Sequence, residues 1–471
     1  MTRFLILLTT LKYFIYLIDA QQLYDWFALD YQWNVQHTKD DYANCATEKK
    51  CYKPANNIPT GIKVDKHGNI YVTVPRWLEG VPSTLNRVGA NITDYGILIP
   101  WPSWEIQTIG DANSLQNVQS MAITNNGSMW VIEVGRRNFF SDDPNAVVNG
   151  QPGVWIIDIS TQEIISKYYF PNDIVTSNNS FLNDIVVDEK RQIAYLSDAW
   201  GDGGIIVYNY LDRTSRRFAG ESTKFKPDYV WIVNGFNYGP DAFKTPVDGI
   251  AITDDFEAIF YCSLQGIQLF RLQTSLLRNF DSFNSTVIEK SAQMLGIKEP
   301  SDGIIYWNGV LYWGSLTEST YYALAVSATS VPSTLADGRF SDAVAVWPSE
   351  FQSNQRWPDT FAIDLSDPTR LLFVSNGLDL FFNDKMNFIL DLSKPWKSPN
   401  FYVQRVTATN MGFAADSCND NESYIQATIA LAIIAGICII VVLGFLYTSY
   451  MSKSKPEDKK SLFSDQKMMS G

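Results

Sequence analysis

An apolar run introduced by one or two polar residues recurs six times between Ile58 and Ile363, as IPTGIKVD, VQSMAIT, LNDIVVD, TPVDGIAIT, SDGIIYW and PDTFAID. Aligned on the polar residue, the copies begin at Thr60, Ser120, Asn183, Asp248, Asp302 and Asp359, in steps of 60, 63, 65, 54 and 57 residues. Each is followed by a short polar turn and a second β-type run: NIYVTV, SMWVIEV, QIAYLSD, AIFYCSL, VLYWGSL and LLFVSN. One unit is therefore at least a hairpin. A period near sixty is long for a solenoid coil and suits a four-stranded blade with generous loops, so the pattern predicts an all-β, six-bladed β-propeller. A radial ring also hides most strand edges, which an open array leaves bare. The first strand of each blade then faces the axis, and the six polar residues gather near one mouth of a central channel. Asp184 and Thr360 stand beside them, and the far ends of the hairpins place Thr73, Glu133, Asp198, Ser263, Ser315 and Asn376 on one rim or the other. The early segment WFALDYQW is expected to complete the last blade beside MNFILDL.

Composition fits this picture. Aromatic residues make up 14% of the 471, and long amphipathic helical patterns are scarce before residue 420. Residues 1–20, with Arg3 ahead of an apolar run and Ala20 at a possible cleavage point, read as a secretory signal peptide. Residues 21–417 read as the propeller and 418–426 as a juxtamembrane stalk. Ala427 to Tyr447 carry no charge over 21 residues, enough for a single C-terminal transmembrane helix. Lys453, Lys455, Lys459 and Lys460 follow it while Asp416, Asp420 and Glu422 precede it, so the positive-inside bias puts 448–471 in the cytoplasm and the propeller outside. This is a single-pass type I arrangement at the cell membrane, reached by the secretory pathway.

Charge sharpens the choice of partner. The tail carries +2 and residues 1–20 carry +1 of a total of −13, which leaves −16 on the remainder. A domain that acidic argues against nucleic acid; its charge serves solubility alone or, weakly and in a salt-dependent way, attracts small cations such as protonated amines. Of five cysteines Cys438 falls in the membrane span; of the other four, Cys45 and Cys51 are close enough to clip the loop CATEKKC, which leaves Cys262 for Cys418, with three connectivities open. Sequons at Asn91, Asn126, Asn178, Asn284 and Asn421 suit an extracellular route.

Little in the chain suggests nucleophilic or metal chemistry. Only His37 and His67 are available to a hydrolase, and no nucleophile elbow accompanies them. Gly201 to Gly204 lack the Lys-Ser/Thr of a phosphate loop, and no Cys/His cluster suggests zinc. The pairs Asp142–Asp143 and Asp254–Asp255 fall in turn-like segments. No cofactor is expected. The ring of polar residues at the axis remains as the candidate binding site.

The chain resembles the yellow and major royal jelly protein family. The passage IPTGIKVDKHGNIYVTVPRWLEGVPSTLNRV, with Pro75-Arg76-Trp77 and Gly80-Val81-Pro82, is similar to that family's first-blade signature. Similar passages follow in family order through LNDIVVDEKRQIAYLSDAWGDGGIIVYNY to PDTFAIDLSDPTRLLFVSNGLDLFFNDKMNF. The resemblance implies a six-bladed propeller linked to pigmentation, dopachrome conversion, nutrition or biogenic-amine binding. It implies a ligand contact for Asn376 and, less directly, for Thr360. Leu378 stands where an aromatic is expected, with Phe381 or Phe382 as substitutes. The membrane span departs from the usual secreted pattern. The first reading is a membrane-tethered extracellular propeller that binds a small ligand, an amine or catechol, through Asn376, Thr360, Asp359, Asp248, Asp302 and Asn183. The alternatives are an adhesion or receptor ectodomain without a small ligand, a dopachrome isomerase, and a calcium-dependent lactonase fed by Asn183, Asp248, Asp302 and Asp359.

Overall fold

The computed structural model describes residues 20–407, apart from 35, 44–46, 48–49, 92, 141–146, 149, 240–243, 346–355, 384–385 and 387–398. Six four-stranded antiparallel sheets follow one another along the chain. Their innermost strands are Gly61–Val64, Val118–Ile123, Leu182–Asp188, Val247–Ile252, Ile304–Trp307 and Pro358–Ile363. Each is the strand that the repeated phrase predicts. Successive inner strands pack side by side, and the first packs against the sixth, which closes a six-bladed propeller.

Closure of the last blade differs from expectation in its residues. The strand supplied by the N-terminal part is Ala20–Trp26, paired antiparallel with Phe401–Thr407, so only Trp26 of WFALDYQW lies in it. The rest of that segment leaves the sheet: Tyr31 bridges Leu98 of the first blade, and Trp33 stacks on Trp104 at 5.7 Å. Beyond Met386, the MNFILDL stretch lies outside the described residues. The propeller belongs to a compact unit, Met1–Phe413; the second unit, Ala414–Gly471, lies outside the described residues. Among the described residues no helix is long and apolar enough to cross a membrane, and Ala427 to Tyr447 is not among them.

The repeated phrase also encodes a distortion. In four blades the inner strand carries one extra residue against its neighbour, between Val118 and Met121, Leu182 and Ile185, Val247 and Ile250, and Pro358 and Thr360. A bulge bends the strand and re-aims its side chains. Here it falls at the polar residues, and turns them to the axis. The Asp-Gly pairs have a related cause. A Cβ on Gly249 would lie 2.5 Å from the Asp302 carbonyl oxygen, and one on Gly303 would lie 2.4 Å from that of Asp359. Glycine is needed because the next blade's backbone presses against it, rather than for a turn.

Candidate functional site

All six polar residues singled out by the repeat, Thr60, Ser120, Asn183, Asp248, Asp302 and Asp359, line one cavity of about 20 Å³ on the axis, joined by Asp184 and Thr360. This waist separates two wider spaces. On one side lies a vestibule of about 70 Å³ walled by Trp77, Phe140, Phe181, Trp200, Trp231, Trp357 and Phe382, with Asn183, Asp248, Asp302 and Asp359 at its floor. On the other opens a mouth of about 490 Å³ that includes Lys63, Asp184 and Thr360.

Hydrogen bonds fix the carboxyl groups individually. Asn183 Nδ2 donates to Asp248 Oδ1, Asn376 Nδ2 to Asp359 Oδ2, and the Trp357 indole to Asp302 Oδ2 at 2.7 Å. Ser120 Oγ donates to Asp184 Oδ1 at 3.0 Å. Asp248 and Asp302 hydrogen-bond each other. Both acceptors of Asn376 Nδ2, Asp359 and the Pro59 carbonyl at 3.0 Å, fix the orientation of its amide. Its Oδ1 is buried and has no partner among the described residues.

Burial raises the pKa of every carboxyl group here. Asp248 and Asp359 sit well above the ordinary range, pushed first by burial and then by the charge of Asp302. Asp302 is pushed up to about 6 by burial, with the Trp357 and Asp248 hydrogen bonds pulling the other way. Asp184 is raised by burial and drawn back by Lys63, whose ammonium, itself lowered by burial, donates to the Phe361 carbonyl at 3.0 Å. Four carboxyl groups therefore share one ammonium around the waist. They must hold protons or attract cations.

The expected rim residues are elsewhere. Thr73, Glu133, Asp198, Ser263 and Ser315 are buried rather than exposed at a mouth, and Thr73 packs against Thr60 of the waist, hydroxyl to hydroxyl at 3.2 Å. Glu133 accepts from the amides of Gln116, Asn117 and Gly135, and burial still raises it to about 7. Asp198 accepts from Phe181 N and from Arg217. Thr73 Oγ1 donates to the Gln119 carbonyl at 2.7 Å, tying the first blade to the second. Glu133, Asp198 and Ser315 thus satisfy loop backbone amides at the far end of their second strands. Of that set only Asn376 touches the axial carboxyl groups.

Several wall residues were not singled out by the repeat. Trp231 sits on a hairpin, Trp231–Val233 with Phe236–Gly239, whose Asn234-Gly235 turn follows the sequence rule for such loops. It packs edge-on to Trp357 at 5.5 Å. Trp77 follows Arg76, whose guanidinium donates to the carbonyls of Val81, Pro82, Gln107, Leu115 and Gln116. The Pro-Arg-Trp motif is thus a buried knot that holds an indole in the vestibule wall. Leu378 lines the vestibule on a short helix, Leu378–Phe381, and Phe382 supplies the aromatic ring beside it; Phe381 packs behind, 6.3 Å from Trp77.

The remaining candidates fall away from the axis. His37 stacks on Trp104 at 4.7 Å and His67 is exposed in a groove at the edge of the first blade. Asp254 accepts from Gly309 N in a turn, while Asp142 and Asp143 lie outside the described residues. Asn91, Asn126, Asn178 and Asn284 are exposed, whereas Asn421 is outside the described residues. Cys51 is disulfide-bonded; Cys45 and Cys418 lie outside the described residues. Cys262 corrects the expected pairing: it is a free, buried thiol 3.7 Å from Ser301 Oγ, packed inside the ring where the fourth blade meets the fifth. Among the described residues no group of three or more His, Cys, Asp or Glu has the geometry to hold a metal ion, which gives the calcium reading no support.

Residues 116–394, more than half of the chain, match the family model for major royal jelly protein. The chain belongs to the major royal jelly protein family. It is 30% identical over 275 residues to Protein yellow of Drosophila melanogaster, covering 55% of this chain and 48% of that protein, and 29% identical over 276 residues to Protein yellow of Drosophila subobscura, covering 55% and 46%. The chain thus spans about half the length of the curated relatives it matches. Among solved structures it is similar to a luciferin-regenerating enzyme, with 12% identity and a TM-score of 0.40 over 74% of this chain and 91% of that one. A regucalcin from Agrobacterium tumefaciens gives 10% identity and a TM-score of 0.40 over 74% and 89%. Membership in the major royal jelly protein family rests on the matched residues, and the blade count on the sheet topology above.

Proposed function

We propose that this protein is a membrane-tethered extracellular propeller that holds a small aromatic cation, an amine or catecholamine, in the axial vestibule. The observation that carries the reading is the pairing of an aromatic wall with a floor of three buried carboxyl groups, Asp248, Asp302 and Asp359. An ammonium there replaces protons the carboxyl groups otherwise retain, while the rings of Trp77, Trp231 and Trp357 stack on the ligand. Asn376, with its unpartnered Oδ1, and Asn183 orient the floor. At about 70 Å³ the vestibule holds only a few waters, so a ring enters by displacing Phe382 or Trp200, both part-buried. Secretion, glycosylation at the exposed sequons and anchoring by Ala427 to Tyr447 complete the proposal.

Asp302 favours a second reading, isomerisation of a dopachrome-like catechol derivative. A carboxyl group near pKa 6 is placed to give and take a proton at neutral pH without a cofactor. Calorimetry of residues 21–417 against amines, catechols and calcium, with dopachrome turnover followed in parallel, separates the readings. Heat with amines and no turnover supports the first; turnover supports the second. No heat with any of them leaves an adhesion or receptor domain with a structural channel.

A further inference from the structure

Behind the vestibule wall lies a guanidinium that the described residues satisfy only in part. Arg136 is 4% exposed. Its Nη1 donates to the Asn178 carbonyl at 3.1 Å, but Nε and Nη2 have no partner among the described residues. The group lies between two rings, 4.7 Å from the centroid of Phe139 and 4.9 Å from that of Trp200. Trp200 is itself a wall residue of the vestibule, and Phe139 packs on Phe181, another wall residue, at 5.1 Å. Ring faces stabilise the cation but leave its in-plane N–H groups without acceptors.

Among the described residues the neighbouring charges do not supply one. Asp198 is the carboxylate near Arg136, and its oxygens already accept from Phe181 N at 2.7 Å and from Arg217 Nη1 at 2.7 Å. Two guanidinium groups therefore share a single buried carboxylate. The shortfall is one anion with oxygens in a plane, which matches the two free N–H groups of Arg136 as a fork.

We propose that Arg136 is the carboxylate-recognition residue of the vestibule, so that the preferred ligand is an aromatic molecule carrying a carboxylate as well as its cationic nitrogen. This rests on the amine-binding reading above and names the ligand class within it. The cation meets Asp248, Asp302 and Asp359, and the carboxylate passes the edge of Trp200 to Arg136. Trp200 is part-buried, so its ring is the wall element that has to move for a ligand to reach Arg136.

The test is calorimetry of the full-length protein with three indole probes: tryptamine with an amine only, indole-3-acetate with a carboxylate only, and tryptophan with both. The wild type is expected to bind tryptophan at least tenfold more tightly than tryptamine. Arg136→Gln should abolish that preference by weakening tryptophan at least tenfold more than tryptamine, and Arg136→Lys should retain part of it. Circular dichroism melts of both variants separate misfolding from lost recognition. Tryptamine binding without a carboxylate preference in the wild type overturns this proposal and leaves the amine reading standing. Equal losses for all three probes in Arg136→Lys, with an unchanged melt, also overturn it and make Arg136 a support for the wall. If no probe binds the wild type, the amine reading fails and this one fails with it.

Discussion

Replacing Asp302 by Asn tests whether the waist stores protons. The amide keeps both hydrogen bonds, since its Oδ1 accepts from the Trp357 indole and its Nδ2 donates to Asp248, so shape and contacts are preserved while titration is removed. In the wild type the folded pKa of about 6 lies above the ordinary value of 3.8. The folded state thus binds the proton more tightly than the unfolded one. Its stabilising contribution is fully present below about pH 3.8 and is lost as pH rises through about 6. A difference of roughly two pK units corresponds to about 3 kcal/mol, as an upper figure for a group coupled to Asp248. Urea unfolding of ligand-free residues 21–417 should therefore give similar stabilities for wild type and Asp302→Asn near pH 4. At pH 7.5 the variant should be the more stable by up to about 3 kcal/mol. Cation binding should show the mirror image: wild-type affinity for tryptamine climbs between pH 5 and 7 as the ligand displaces a proton, and the variant's profile is flatter and weaker. Parallel stability curves for the two proteins across this range refute the account, because they mean that the carboxyl group is ionised at no cost in the folded state.

Three further outcomes are expected. Asn376→Ala should weaken an amine ligand by about ten- to a hundredfold, the value of a charge-assisted contact of roughly 1.5–3 kcal/mol, whereas Asn91→Gln should leave affinity unchanged; equal affinities in calorimetry place the ligand elsewhere. Arg76→Lys should lower unfolding stability by on the order of 3 kcal/mol, because a point ammonium cannot reach the five carbonyls that the guanidinium spans; an unchanged denaturation midpoint contradicts the buried knot. Deletion from Ser423 onward should yield a soluble secreted protein, and retention of the truncated chain on membranes after a high-salt wash makes residues 1–20 an anchor.

The number of blades and the identity of every inner strand were legible in the chain, because a blade's first strand needs the same apolar run and the same polar break wherever it occurs. Thr60, Ser120, Asn183, Asp248, Asp302 and Asp359 could therefore be named as neighbours although 299 residues separate the first from the last. What the pattern did not contain is which way each polar side chain turns. That depends on a one-residue bulge within the first hairpin of four blades, and on the next blade's backbone pressing against Gly249 and Gly303, a contact that does not exist until neighbouring blades pack. The aromatic wall was hidden for a different reason. Trp231 arrives on a hairpin between the third and fourth blades and Trp77 on a loop of the first, outside the repeat, so no periodicity marks them. Glu133 and Asp198, at equivalent repeat positions, look like channel residues by spacing but spend their oxygens on loop amides and Arg217. Local sequence set the strands and their polar breaks; only closure of the ring decided which carboxyl groups share a buried waist, because burial and mutual charge are properties of the assembled axis.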